Sequence, residues 1–144
     1  MESFIIYALV LALVQIWLIP MTLNLHNLQW QFSDRSEKIE RSDMLKRALR
    51  ASDNLKETLP AFLALVLLAM AVEKDVSNLA CWWLIFRVAH GICYLFKINY
   101  VRTLAWLGAL GSLILMACQI VAYKKKRDHW SLYLFTSALI ILQY

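Results

Sequence analysis

Four long apolar stretches, separated by polar segments, constrain this chain more than any other feature. The first, from Phe4 to Leu25, contains no charged residue, and about 20 consecutive apolar residues are what a helix needs to cross a bilayer. The chain of 144 residues is 61% hydrophobic, whereas soluble domains are about half apolar. We therefore predict one all-α integral membrane domain over residues 1–144, a four-helix bundle of up-down topology.

The polar breaks set the expected bounds of the helices. With only 3 Gly and 2 Pro in the chain, there is little material for long loops, except between the first two helices. The expected helices lie at about residues 4–25, 43–72, 77–96 and 102–123. The basic run KKKRDH is expected to end the fourth helix at the lipid headgroups. The apolar tail, residues 130–144, is short for a span, and it is left open whether it lies in the interface, packs on the bundle or forms a partial fifth helix.

The net charge of +5 raises the question of nucleic acid. Most basic residues lie beside apolar stretches, which favours contact with anionic lipid headgroups and no nucleic-acid partner. More Lys and Arg residues flank the first and third connections than the opposite side, so we expect the former side in the cytoplasm. The three cysteines fall inside apolar stretches without metal-ligand spacing, so neither a disulfide framework nor a metal site is expected.

The second apolar stretch is preceded by an unusually polar segment, KRALRASDNLKETLP, residues 46–60. In a helix Arg50, Asn54 and Glu57 are spaced i, i+4 and i+7 and share one face. Charged groups at the mouth of a bilayer are costly unless they face protein or water, which makes a functional site one interpretation. The alternative is a polar helix end that is solvated by water and headgroups.

The third apolar stretch carries a second polar stripe. Arg87, His90 and Tyr94 fall on one side of a helical wheel. An arginine this far inside a span should face the bundle or water, so an acidic partner on the second helix, Glu57 or Asp53, is expected. The alternatives are a structural ion pair for Arg87 and packing roles for His90 and Tyr94.

Two segments that contain these stripes resemble a known family. LRASDNLKETLPAF, residues 49–62, and RVAHGICYLFKINYVRT, residues 87–103, are similar to the membrane-associated proteins in eicosanoid and glutathione metabolism, the MAPEG family, with its microsomal glutathione transferases and prostaglandin E synthase. The resemblance implies a membrane four-helix bundle that assembles as a homotrimer. It also implies glutathione as co-substrate and a hydrophobic or lipid-like electrophile as the second substrate.

The resemblance further implies the site residues. The family's glutathione motifs fall on Arg50, Asn54, Glu57, Arg87, His90 and Tyr94. Arg102, followed by Thr103, lies where the family places the arginine that holds the glutathione thiolate, so Arg102 is the candidate catalytic residue and Thr103 a candidate binding residue. Ser52 stands where the prostaglandin E synthase has a histidine, which argues against eicosanoid specificity.

The chemistry of glutathione agrees with these residues. Its two carboxylates call for cations such as Arg50, Arg87 and Lys97, its amino group calls for a carboxylate such as Glu57, and a cation beside its thiol favours the thiolate nucleophile. The expected function is a glutathione-dependent membrane transferase or peroxidase with its glutathione site on the cytoplasmic side. The alternative is a non-catalytic lipid-binding or scaffold protein, in which Arg102 only anchors its helix at the headgroups. A small transporter is less favoured, because the chain shows no internal repeat.

Overall fold

The fold is helical throughout the part of the chain that the computed structural model describes, residues 1–25 and 41–141, with side chains up to residue 127. The first helix, α1, consists of three consecutive pieces, the α-helical Glu2–Ala12, the π-helical Leu13–Leu18 and the α-helical Ile19–Leu23. The other helices are α2 (Asp43–Ala71), α3 (Ser77–Leu95) and α4 (Asn99–Ile141). Most of the long connection predicted between the first two helices lies outside the described residues.

Three of these helices are long and apolar enough to cross a membrane, namely Glu2–Leu23, Asp43–Ala71 and the part of α4 from Asn99 to Arg127. The helix α3 is not among them, since Arg87 and His90 lower its mean hydropathy. Both of these side chains are buried inside the chain. The polar residues of α3 are therefore kept from lipid by the neighbouring helices, as their cost in a bilayer requires.

The helix α4 does not end where the sequence predicted. The expected end was near Tyr123, but the helix continues through the basic run to Ile141 and has 43 residues. Lys and Arg favour helix, and no Gly or Pro follows Gly111, so nothing in the local sequence interrupts the backbone hydrogen bonds. At 1.5 Å per residue the helix is about 65 Å long, roughly twice the hydrocarbon thickness of a bilayer.

The core lies where α2, α3 and α4 meet. Phe62 on α2 stacks on Trp83 on α3 with ring centroids 3.9 Å apart and an interplanar angle of 10°, and both are fully buried. One turn further along α3, the ring of Phe86 lies so close to Gly108 of α4 that a Cβ there would meet it at 2.8 Å. Gly108 thus permits the close helix approach that small residues allow in membranes.

The connection from α3 to α4 is a tight turn built on a left-handed residue. Lys97 has φ 63°, its N–H donates to the carbonyl of Tyr94, and the next N–H, of Ile98, donates to the carbonyl of Cys93. This pair of bonds is the Schellman motif, which satisfies the last carbonyls of a helix. The turn brings the first residues of α4 back beside the last turn of α3.

The π-helical segment of α1 fastens this helix to α2. In the π register the N–H of Ile19 bonds to the carbonyl of Val14, and the next bond would run from Pro20 to the carbonyl of Gln15. Proline has no N–H, so it cannot donate to that carbonyl. The hydroxyl of Ser52 donates to it instead, at 2.7 Å. The Gln15 side chain in turn donates to the carbonyl of Ala51 at 2.9 Å. The carbonyl and the side chain of Gln15 thus both have hydrogen-bond partners on α2, as a membrane interior requires.

Candidate functional site

A cavity of about 280 Å³ lies between the first turns of α2 and the turn that joins α3 to α4. We call it the basic cavity, and its eight lining residues are Asp43, Lys46, Arg47, Arg50, Tyr94, Lys97, Asn99 and Arg102. Five of these carry positive charge and only Asp43 is acidic. Asp43 pairs with Lys46 at 3.3 Å, so a large excess of positive charge faces the cavity. Such a concentration of cations favours an anionic ligand.

The side chain of Arg102 is held against α3 by an aromatic ring. Its guanidinium carbon lies 4.7 Å from the centroid of the Tyr94 ring, which is within the range of a cation–π interaction. The Tyr94 ring meets the edge of His90, with centroids 5.1 Å apart and an interplanar angle of 71°. His90 is buried and does not line the basic cavity. The tight turn at Lys97 is what places Arg102, on α4, above Tyr94, on α3.

Arg87 is buried and forms a separate cluster with two partly buried side chains of α2. One terminal nitrogen of its guanidinium donates to Asn54 Oδ1 at 2.7 Å, and the other donates to the hydroxyl of Thr58. Only 2% of Arg87 is exposed. The fork of the guanidinium thus bridges two side chains one helical turn apart, an arrangement that lysine could not reproduce.

The predicted pairing of Arg87 with Asp53 is wrong, because Asp53 pairs with Lys56 at 3.0 Å. Glu57 is exposed and acts on Arg87 only electrostatically, because the described residues form no ion pair between the two. The reason is helix geometry. Asn54 and Thr58 share the face toward α3, while each acidic residue precedes one of them and points about 100° away.

The structure separates the predicted site residues into three groups. Arg50, Tyr94 and Arg102 line the basic cavity. Arg87 donates to Asn54, and the ring of His90 packs against that of Tyr94. Glu57 and Thr103 are exposed and do not line the cavity. The hydroxyl of Thr103 donates to the carbonyl of Asn99 in its own helix at 3.2 Å.

Four residues of the cavity wall were missed by the prediction, namely Asp43, Lys46, Arg47 and Asn99. Lys46 precedes Arg50 by one helical turn, so the spacing of four could have added it to the stripe. Asn99 gives no such signal, because it reaches the cavity only through the geometry of the turn after α3. The same holds for Thr58, whose role as a partner of Arg87 depends on how α2 and α3 pack.

One of the three comparisons with known proteins identifies a family. The family model described as the MAPEG family matches residues 4–122. Neither the comparison with curated proteins nor that with solved structures found a match. The matched range contains α1, α2, α3 and the first part of α4, and with them the basic cavity and the Arg87 cluster. The family resemblance of the two polar segments is thereby confirmed, and this integral membrane protein belongs to the MAPEG family.

Proposed function

We propose that the protein binds glutathione in the basic cavity and activates its thiolate for attack on a hydrophobic electrophile or a lipid hydroperoxide. The observation that carries the proposal is the composition of the cavity wall, five cations and one carboxylate around about 280 Å³. Glutathione presents the complementary set, two carboxylates, one ammonium and a thiol that becomes an anion. Membership of the MAPEG family is consistent with glutathione chemistry.

The cavity offers a partner for each charged group of glutathione. Arg50 on α2 and Lys97 in the turn after α3 both line the cavity. Each can bind one carboxylate of the tripeptide, with arginine giving two parallel hydrogen bonds. The ammonium group would meet Asp43, the acidic residue of the wall. This differs from the carboxylate suggested by the family motif, since Glu57 does not line the cavity in the single chain.

Arg102 is our choice for the residue that holds the sulfur. A guanidinium remains protonated at all physiological pH values, and a fixed positive charge beside a thiol stabilises the thiolate, which is the reactive form. Its contact with Tyr94 fixes the orientation of the side chain before the ligand arrives. Preorganised charge of this kind is worth more than charge that must reorganise during the reaction.

The reaction then needs no further cofactor. With an activated double bond, the sulfur forms a bond to carbon and the displaced electron pair takes a proton from water. With a hydroperoxide, the sulfur attacks the terminal oxygen and the O–O bond breaks, which gives glutathione sulfenic acid and an alkoxide that takes a proton from water to become the alcohol. A second glutathione then converts the sulfenic acid into glutathione disulfide and water. In both cases the task of the protein is to supply the thiolate and to exclude competing reactions.

We also propose that the protein works as a homotrimer, with an up-down order of its helices and the basic cavity facing the cytoplasm. Glu57 and Thr103 support the trimer, because both are exposed polar residues of the family motifs beside the cavity elements. A neighbouring subunit would cover them and complete the glutathione site. Cross-linking in native membranes, followed by mass measurement, tests this part independently.

A second candidate function is a non-catalytic lipid-binding or scaffold protein of the same fold. The observation that favours it is the Arg87 cluster, in which Asn54 is already bound by a protein side chain. Asn54 would then be part of the framework and not a ligand of glutathione. A scaffold, however, gives no reason for the excess of cations around the cavity.

Titration with glutathione distinguishes the two functions. Purified protein in detergent is titrated with glutathione at millimolar concentration while the ultraviolet absorbance of the thiolate is followed. We expect binding with a thiolate signal in the wild type, a lost signal in Arg102→Ala, and a normal signal in Lys124→Ala, which removes an exposed cation far from the cavity. Absence of binding in the wild type would sink the proposed function. Binding with an undiminished thiolate signal in Arg102→Ala would remove Arg102 from its role.

A further inference from the structure

The part of α4 that follows residue 122 lies outside the range that the family model matches, and it begins with a basic run. Lys124, Lys125 and Lys126 are all exposed, and we call these three residues the lysine collar. Because α4 continues as a helix to Ile141, the collar lies within a helix and not at its end. The proposed function does not use these charges, since none of the three lysines lines the basic cavity.

The cations beside the lysine collar already have partners within the protein. Arg127 donates to the carbonyl of Val72 at 3.2 Å, and the ammonium nitrogen of Lys74 lies 5.4 Å from the ring centroid of Tyr123. The collar differs from them, because the two ion pairs of the described residues both lie within α2 and no described carboxylate neutralises a collar lysine. Three adjacent positive charges therefore remain for a partner outside the chain, and such a concentration of charge favours an anionic one.

The three lysines point in different directions around α4. Successive residues of a helix are about 100° apart, so the collar covers about 200° of the helix circumference. A nucleic acid or an acidic protein that docks on one face of the helix leaves at least one of these lysines without an anion. The headgroup layer of a bilayer surrounds a membrane helix on every side that protein does not cover, so the phosphates of its anionic lipids can reach all three.

The lysine collar also lies at the depth of a headgroup layer. Just before it the exposed surface of α4 is apolar, with Leu115 54% and Val121 67% exposed. From Arg102 to Lys124 the helix rises about 33 Å, which is close to the hydrocarbon thickness of a bilayer, about 30 Å. The hydrogen bond of Arg127 places the polar turn between α2 and α3 at the same level. When Arg102 meets one headgroup layer, the collar therefore meets the other.

We infer that the lysine collar binds the phosphate groups of anionic phospholipids and enriches these lipids around α4, in the leaflet opposite the basic cavity. The apolar stems of the lysines lie along the helix surface while their ammonium groups reach the phosphates. A lysine beside an anionic surface favours the charged lipid over a zwitterionic one about fivefold. The inference does not depend on glutathione, because no residue of the collar lines the basic cavity.

Photolabelling tests the inference at the level of single helices. Two probes are compared in nanodiscs, a phosphatidylglycerol and a phosphatidylcholine, each with a diazirine on an acyl chain next to the glycerol, and labelled peptides are identified by mass spectrometry. We expect the phosphatidylglycerol probe to label α4 around Val121 about fivefold more than the phosphatidylcholine probe. Ile6 of α1, which is 59% exposed, is the internal control and should show no preference, because α1 packs on α2 and α3 and contains no lysine or arginine.

Variants of the collar separate the effect of charge from that of structure. The triple variant Lys124→Gln/Lys125→Gln/Lys126→Gln should lose the lipid preference at Val121. The triple variant Lys124→Arg/Lys125→Arg/Lys126→Arg keeps the charges and should retain the preference. Lys56→Gln, which removes an exposed lysine of α2 outside the basic cavity, should also retain it. Equal labelling by both probes in the wild type, or a preference that persists in the glutamine variant, overturns the inference.

The rival partner is tested by titrating the purified protein in detergent with a single-stranded RNA oligonucleotide. We expect no RNA binding that depends on the collar. Collar-dependent RNA binding without a lipid preference would assign the collar to nucleic acid and overturn the inference. Failure of the wild type to bind glutathione, with the lipid preference intact, would overturn the proposed function and leave the assignment of the collar standing.

Discussion

The two ends of α3 have the same backbone turn, but their charged side chains have different contacts. At each end a helix stops in a Schellman turn with a charged residue in the left-handed region, Glu73 with φ 59° before α3 and Lys97 with φ 63° after it. In both turns the following N–H reaches back to close the helix, to the carbonyl of Ala69 in one and of Cys93 in the other. Neither end has a glycine at this position.

At the Glu73 end the charges are used by the protein itself. Arg127 of α4 donates to the carbonyl of Val72 at 3.2 Å and so caps α2, and Lys74 lies 5.4 Å from the ring centroid of Tyr123. The hydroxyl and the N–H of Ser77 donate to Asp75, and these hydrogen bonds hold the pKa of its carboxyl below the usual value. Charge at this end stabilises helix termini.

At the Lys97 end most cations face a cavity and not a protein partner. Five of them surround it, and the ion pair in its described wall is that of Lys46 with Asp43. The comparison teaches that net charge and local sequence do not separate a structural end from a functional one. What separates them is whether each cation already has a partner. Removing a cation that is hydrogen-bonded within the protein, such as Arg87 or Arg127, should cost stability. Removing a cavity cation that has no such bond, such as Arg50, should cost ligand binding.

The largest effect is expected from Arg87, a buried cation that makes two hydrogen bonds to α2. Arg87→Ala leaves Asn54 and Thr58 without their buried donor and opens a cavity beside Trp83. We expect the free energy of unfolding to fall by about 3 kcal/mol, measured by denaturant titration in detergent. Arg50→Ala, at an exposed position, should leave that value unchanged. If Arg87→Ala were as stable as the wild type, the hydrogen bonds of Arg87 to Asn54 and Thr58 would not contribute to the free energy of unfolding.

The next effect concerns binding. Arg50→Gln removes a cation from the basic cavity but keeps most of the side chain. Since a hydrogen bond to a charged group contributes about 2 kcal/mol, the Kd for glutathione should rise about thirtyfold, as measured by titration calorimetry. Lys125→Gln removes the same charge from α4 outside the cavity and should leave the Kd unaltered. An equal rise in both variants would show a general charge effect in place of a specific contact.

A smaller effect is expected at the opposite end. Arg127→Ala deletes the bond to the carbonyl of Val72 and should lower the free energy of unfolding by about 1 kcal/mol. The Kd for glutathione should not change, because Arg127 does not line the basic cavity. Weaker glutathione binding in this variant would contradict the division of the molecule into a structural and a functional end.

Much of the basic cavity could be predicted from the sequence, because its residues follow the short-range periodicity of the helices. The spacing of Arg50 and Asn54 on one helix and of His90 and Tyr94 on another defines two faces, and a short connection must bring Arg102 near the end of α3. The structure indeed places Arg50, Tyr94 and Arg102 around one cavity. These features need only the helical repeat and the chain order.

The remaining features depend on packing between distant segments. That Arg87 binds Asn54 and Thr58, and not an acid, is decided by the rotation of α2 against α3. That the carbonyl of Gln15 is satisfied by Ser52 depends on a local π register beside Pro20, which the sequence showed only as a polar interruption. The end of α4 could not be predicted from the basic run, because Lys and Arg are typical of the headgroup region but also favour helix.

The two left-handed turns allow the finest test of the comparison. Glu73→Gly and Lys97→Gly should each relieve the cost of a side chain at positive φ, which is offset in part by the greater freedom of glycine in the unfolded chain, so the free energy of unfolding should rise by about 0.5 kcal/mol in both. Only Lys97→Gly removes a cation from the basic cavity, so only this variant should weaken glutathione binding, by about threefold. Calorimetric titration beside denaturant unfolding measures both quantities on the same preparations. If Glu73→Gly weakened binding as much as Lys97→Gly, the backbone of the turns, and not the charge of Lys97, would control the site.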